Sequence, residues 1–151
     1  PLFILMGVVV SNTGVGKDLY YSAYKWMGQF RGGLAMATVV ACGGFAAITG
    51  SSPATAATMG KVALPEMEKY KYDTNLTAGA VAAGGTLGIL IPPSMGFILY
   101  GILTEESVGK LFMAGIIPGL MDILFYVAVM FMMCRIKPSL GPAGPKTSMK
   151  E

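Results

Sequence analysis

Charge is distributed along this chain in long blocks, not in the short amphipathic period of a water-soluble domain. Leu34 to Gly60 is 27 residues without a charge, and Thr74 to Thr104 is a second uncharged run. Pro1 to Gly16 carries no charge, and Leu111 to Cys134 contains only Asp122. Each run approaches or exceeds the roughly 20 apolar residues that span a bilayer. The lysines and arginines lie in the short segments between. This pattern predicts an all-α integral membrane protein.

Two of the runs are interrupted. Leu34 to Thr49 is only 16 residues, about 24 Å as a helix at about 1.5 Å per residue, which is short for a crossing. Gly50-Ser51-Ser52 follows, then a similar segment from Pro53 to Met67. Two half-length helices joined by such a turn predict a re-entrant hairpin that enters and leaves the membrane on one side. Asn75 to Leu103 is long enough to cross, yet Gly84 to Ser94 reads GGTLGILIPPS. Glycines lower helix propensity, and Pro92-Pro93 removes two donors, so this stretch predicts a helix broken at membrane depth. The organisation expected is therefore part of a transmembrane helix over 1–16, an interfacial amphipathic helix over 17–33, a re-entrant hairpin over 34–67, a discontinuous transmembrane helix over 74–104, a transmembrane helix over 108–134 and a cytoplasmic loop over 135–151. Tyr20, Tyr21, Tyr24, Trp26 and Phe30 with two lysines give the 17–33 segment its headgroup-level composition.

Charge sets an orientation, because cytoplasmic loops carry the excess of Lys and Arg. Arg135, Lys137, Lys146 and Lys150 place the tail in the cytoplasm, and the acidic loop at 104–107 then falls outside. Lys61, Lys69 and Lys71, like Lys17, Lys25 and Arg31, return to the cytoplasmic side. The hairpin is thus entered from the cytoplasm.

Composition agrees, with 54% hydrophobic and 13% charged residues among 151. The start, Pro-Leu-Phe-Ile-Leu-Met, has neither a basic n-region nor a small-residue cleavage site. It reads as a piece of a longer chain, not as a signal peptide. The basic residues follow membrane topology, so no nucleic-acid partner is expected. Cys42 and Cys134 fall inside apolar runs as small buried hydrophobes. The chain has no histidine, which removes the Ser-His pairing of serine hydrolases. A dyad of Ser51 or Ser52 with Lys61 would set the lysine about two and a half helical turns from the hairpin tip. The early Gly-rich stretch ending at Gly16-Lys17 lacks both the first Gly and the Ser or Thr of a nucleotide-binding loop, since Ser11 and Asp18 stand there. No enzyme is expected.

What remains is the chemistry of the breaks. A helix end leaves up to four carbonyls or four amides unpaired, and each costs several kcal/mol in lipid. Ser52 suits an N-cap and Pro53 the first helical position, so the second hairpin arm should begin with a positive dipole end that attracts an anion such as a carboxylate. Carbonyls of Ala47 to Gly50 suit a sodium ion, and Thr49, Ser51, Ser52, Thr55, Thr86 and Ser94 add hydroxyl oxygens. The plainer reading is that these residues cap breaks and pack helices. Two breaks in consecutive segments favour a transport site. Asp122 is either an intramembrane proton carrier or a residue facing a cavity or partner.

The runs GGLAMATVVACGGFAAITGSSPATAATMGKVALPEM and GTLGILIPPS followed by LYGILTEESVGKLFMAGIIPG resemble the large membrane subunit of the tripartite ATP-independent periplasmic (TRAP) transporters. The likeness covers nearly the whole chain. It implies half of an inverted-repeat, elevator-type transporter in a bacterial or archaeal inner membrane, driven by sodium and carrying an organic acid such as a C4-dicarboxylate, sialic acid or 2-oxo acid. It implies a small four-helix membrane subunit and a periplasmic substrate-binding protein as partners, and no cofactor beyond sodium. It places Ser51, Ser52, Pro53, Thr55 and Ser94 about the substrate. Thr49, Gly50, Ser51, Gly85, Thr86 and Gly88 fall about the ion. The alternative is a structural or channel-like subunit without coupled transport.

Overall fold

The computed structural model describes residue 9 and residues 12–142. Most of the expected 1–16 helix and the end of the tail lie outside them. Six helices follow in order: α1 (Val15–Met27), α2 (Gly33–Thr49), α3 (Ser52–Lys69), α4 (Thr74–Leu90), α5 (Met95–Thr104) and α6 (Val108–Ile136). All regular structure among the described residues is helical. Thr74–Thr104 and Val108–Ile136 are long and apolar enough to cross a membrane.

α2 and α3 are the arms of a helical hairpin. Gly50 closes α2 in the left-handed conformation at φ 56°, its N–H donating to Ala46, a backbone shape that costs glycine nothing. Ser51 returns to extended geometry and is the N-cap of α3, without a side-chain capping bond. The cap is therefore Ser51, one residue earlier than Ser52, and Pro53 takes the second helical position. Pro53 still loses nothing there, because first-turn amides have no intrahelical acceptor.

The second interruption is narrower than the GGTLGILIPPS stretch suggests. α4 runs unbroken through Gly84, Gly85 and Gly88 to Leu90, and the break is confined to Ile91–Ser94. The cause is packing. A Cβ on Gly84 would meet the Cys42 side chain at 2.7 Å, one on Gly85 would meet Ala56 at 2.8 Å, and one on Gly88 would lie 2.6 Å from Ser51 and Ser52 backbone. These glycines weaken α4 intrinsically but let it lie directly against both hairpin arms, and close packing outweighs a propensity loss of about 1 kcal/mol each. The prolines end the helix, and the Pro92–Pro93 peptide is cis.

α2 is the central element and is almost wholly buried. Its Phe45 packs in one cluster with Met59, Val81 and Leu87, and its Leu34 in another with Met67, Leu76 and Met130. α6 applies Gly115, Gly119, Met130 and Cys134 to this core, with partly buried Ile123, Tyr126 and Val127 on the turns between. Its other face exposes Ile117, Leu120, Leu124 and Phe125.

α1 runs antiparallel to α2. A Cβ on Gly16 would touch Thr58, Met59 and Phe45, and Gly28 lies against Gly33. The helix thus climbs along the hairpin, and its exposed Trp26 stands near the hairpin base with exposed Phe30 just beyond.

Three loops meet at one end of the body. Gly32 N–H donates to Gly141 at 3.2 Å, Asp73 N–H to Leu140 at 3.0 Å, and Leu34 N–H to the Tyr72 hydroxyl at 3.3 Å. Arg31, Lys71, Arg135 and Lys137 all lie in or beside this junction. Glu105 and Glu106 are at the far end, before α6 begins.

Candidate functional site: where the hairpin turn meets the helix break

The two interruptions are one place. Met95 N–H, at the start of α5, donates to the Gly50 carbonyl at the hairpin turn, 3.2 Å away. On the other side of the turn Gly88 abuts Ser51, and the Ser52 hydroxyl donates to the Thr86 carbonyl at 3.3 Å. α6 supplies a back wall. A Cβ on Gly115 would lie 3.1 Å from the Leu90 carbonyl, and one on Gly119 the same distance from Ile91. Gly115 and Gly119 lie about 10–16 Å along α6 from Val108 and about 26–32 Å from Ile136, at about 1.5 Å per residue. The break is therefore well inside the crossing helix and nearer the acidic loop than the basic junction. The hairpin reaches this far because its arms have 17 and 18 residues.

Backbone groups at this level divide into used and unused. At the end of α2, Ala46 accepts from Gly50. The carbonyls of Ala47, Ile48 and Thr49 take no hydrogen bond among the described residues. Gly50 has already given one lone pair to Met95. In α4 the carbonyls of Gly85 and Thr86 face Ile89 and Leu90 within the helical ladder, whereas the donor position for Gly88 is Pro92, which has no N–H. Of those three residues, Gly88 alone keeps an uncommitted carbonyl. The Ile89 carbonyl accepts the Ser94 hydroxyl, so Ser94, buried, serves the preceding turn and not the α5 N-terminus.

The hydroxyls form a chain between the arms. Thr49 and Thr55 Oγ1 are 3.0 Å apart, and Thr55 donates on to the Ser51 carbonyl at 2.9 Å. Thr49 also lies 3.1 Å from the Phe45 carbonyl. Both threonines are buried, at 2% and 0% exposure. Thr86 Oγ1 donates to Ala83 at 2.7 Å and lies 3.2 Å from the Tyr126 hydroxyl of α6. Tyr126 escaped the sequence reading. Its signal was a hydroxyl inside an apolar crossing, one helical turn after Asp122, which is half-buried on the same helix. Lys61 is exposed on α3, on the arm leading away from the turn.

The level combines free carbonyls, neutral hydroxyls and the N-termini of α3 and α5, where Met95 N–H is taken by Gly50 and Pro53 has none, leaving the amides of Ser52, Ala54, Gly96 and Phe97. Among the described residues no three His, Cys, Asp or Glu side chains gather to hold a metal ion. Neutral oxygens and helix-end amides of this kind suit a weakly held monovalent cation and an anion.

The comparison with known families decides the identity. Residues 1–151 match the family described as tripartite ATP-independent periplasmic transporter, DctM component. The chain belongs to this family. It is similar, at 45% identity over 151 residues, to the C4-dicarboxylate TRAP transporter large permease protein DctM of Pseudomonas aeruginosa, covering all of this chain and 35% of that protein. The isethionate TRAP transporter permease protein DctMQ of Oleidesulfovibrio alaskensis is 43% identical over 128 residues, 85% of this chain and 20% of that one. The sialic acid TRAP transporter permease protein SiaT of Haemophilus influenzae is 33% identical over 152 residues, all of this chain and 24% of its own length. The chain thus spans about a third or less of the curated relatives it matches. These relatives are named as permeases, and two helices of this chain are long and apolar enough to cross a membrane.

Proposed function

We propose that this chain carries one half of the transport site of a sodium-coupled carrier of organic acids, with ion and substrate held where the hairpin turn meets the helix break. The observation that supports this most is the Met95 to Gly50 hydrogen bond, which joins two interruptions distant in sequence into one level. Sodium would take oxygen ligands from the carbonyls of Ala47, Ile48, Thr49 and Gly88 and from the hydroxyls of Thr49, Ser51 and Thr55. Gly50, Gly85 and Thr86 would line the ion's shell with their backbone already bonded elsewhere. The substrate's anionic group would meet the first-turn amides of α3 and α5, beside Ser51, Ser52, Pro53, Thr55 and Ser94. Placing a cation beside an anion in a low-dielectric setting lowers the cost of burying each, which couples their binding.

The substrates named for the relatives are organic acids: C4-dicarboxylate, isethionate and sialic acid. A substrate of that class fits a site with two helix N-termini and no fixed acidic charge on the hairpin turn. In the whole transporter a second repeat would complete the site. A small four-helix membrane subunit and a periplasmic binding protein would act as partners in the inner membrane. The junction of basic loops would face the cytoplasm, and the hairpin, α4, α5 and α6, packed on one core, would move together as the elevator.

The complete transporter, reconstituted in proteoliposomes, should take up its organic acid only with an inward sodium gradient. Ser51→Ala and Gly85→Val should each reduce that uptake at least tenfold. Sodium-independent, ATP-driven uptake would contradict the mechanism, and full activity in both variants would remove the site.

A further inference from the structure

Away from the break, a cavity of about 540 Å³ opens between the first turns of α4 and the last turns of α6. That volume lies in the range of small-molecule sites, about 300–1,000 Å³. Its floor is apolar, with Leu76, Met130, Met133 and Ile136, and its rim carries Asp73, Asn75 and Lys137. The Asp73 N–H to Leu140 carbonyl bond ties the rim together behind it. On the α4 side the wall is Gly79, where an added Cβ would meet nothing within 4 Å. The groove runs beside two membrane-crossing helices and ends at the junction that gathers the basic residues, which is the level of lipid headgroups.

We infer that this groove is a binding site for one phospholipid with a zwitterionic, primary-ammonium headgroup, that is, phosphatidylethanolamine. The floor takes acyl chain along the helix axes, as the surrounding lipid would. Lys137 offers an ammonium to the phosphate. Asp73 uses one oxygen, Oδ1, to accept from Asn75 and Leu76 N–H at 2.9 and 3.3 Å, which leaves its second oxygen for the lipid ammonium. The opposite charges at the rim therefore match a headgroup that carries both signs. An anionic lipid would satisfy Lys137 and face repulsion from Asp73, and a choline headgroup would have no N–H to donate.

The test is native mass spectrometry of the complete transporter after exchange into mixed micelles of phosphatidylethanolamine, phosphatidylglycerol and phosphatidylcholine. Wild type should retain one phosphatidylethanolamine in preference to the other two. Gly79→Leu fills the groove from a position with open space, so it should fold normally and lose that lipid at least tenfold. Asp73→Asn keeps an N-cap and should abolish the preference for ethanolamine over choline, and Lys137→Gln should weaken retention of all three. Equal retention by wild type and Gly79→Leu overturns the site. So does a wild type that holds no lipid, as expected if the rest of the protein covers the groove. Retention indifferent to headgroup, or a preference for phosphatidylglycerol, overturns the headgroup assignment.

Discussion

At the end of the body that gathers the basic loops, several backbone groups left over by the helices are joined across loops. At the level of the two breaks, deeper in the crossing, some of these groups take no hydrogen bond among the described residues. Gly32 and Asp73 find acceptors in the segment after α6 and Leu34 in the loop before α4, and Gly32 and Gly141 let those loops close over Cys134, whose sulfur a Cβ on either would meet within 3 Å. At the breaks, three consecutive carbonyls end α2 without donors among the described residues, and Pro92 denies one to Gly88. An unpaired polar group in hydrocarbon costs several kcal/mol. The carbonyls of Cys134, Arg135 and Ile136 at the end of α6 also take no hydrogen bond among the described residues, but they lie at the junction end, whereas those of the breaks lie deeper in the crossing, where the function proposed above gives them to ligands. On that proposal the contrast separates residues that hold the body together from residues that do its work.

The largest effect should come from Gly88→Val. Its new Cβ would fall 2.6 Å from the Ser51 and Ser52 backbone, where no flexible side chain can give way. Overpacking costs about 1–3 kcal/mol, and the displaced hairpin turn would disrupt the site far more than the fold. Uptake should drop below about a tenth of wild type while helix content by circular dichroism is kept. Retained uptake would show that the contact between turn and break is dispensable.

Tyr72→Phe probes the other end and should affect stability instead. It removes the acceptor for Leu34 N–H at an α2 N-terminus that has no side-chain cap, at a cost of about 1–3 kcal/mol. The melting temperature should fall, with uptake at permissive temperature near wild type. Burial pushes the Tyr72 phenol up from 10.0 to about 12. The folded state therefore favours the protonated form, and the contribution of Tyr72 is full below pH 10 and lost as pH rises through about 12. The difference in melting temperature between wild type and variant should be flat up to pH 10 and shrink above it.

The smallest effect is expected of Gly79→Ala. With open space for the methyl, it should gain about 0.5–1 kcal/mol from helix propensity, a slight rise in melting temperature with no loss of uptake. Beside Gly88→Val, it distinguishes a glycine kept for contact from one that touches nothing.

Much of this fold is legible in the chain because lipid punishes unpaired backbone so heavily. Uncharged runs must be helices, Gly50-Ser51 must turn, and Pro92-Pro93 must end a helix. The misread features are those that depend on partners distant in sequence. Gly84, Gly85 and Gly88 look like helix breakers when taken alone, and only the presence of Cys42, Ala56 and Ser51 against them explains why α4 continues. Ser52 has the residue type of an N-cap, but it bonds to Thr86 across the interface and leaves the cap position to Ser51. At the candidate site the oxygen-bearing residue types were visible in advance. Which carbonyls stay free was not, because that follows from the bond between Gly50 and Met95 and from the position of Pro92. The loop junction left no local signal, since its bonds join residues from three separate parts of the chain.

The central claim is that the break level handles the ion while the loop junction only holds the body together. The sodium concentration giving half-maximal uptake tests it most directly, compared between wild type, Tyr72→Phe and the double variant Thr49→Val with Thr55→Val. Replacing both partners of the Thr49–Thr55 bond by a residue of the same shape is nearly neutral for stability, so a change in this value reports on the ion. The account predicts a rise of about tenfold or more for the double variant, the loss of about 1.4 kcal/mol of ion binding, and no change for Tyr72→Phe. An unchanged sodium response in the double variant would contradict it.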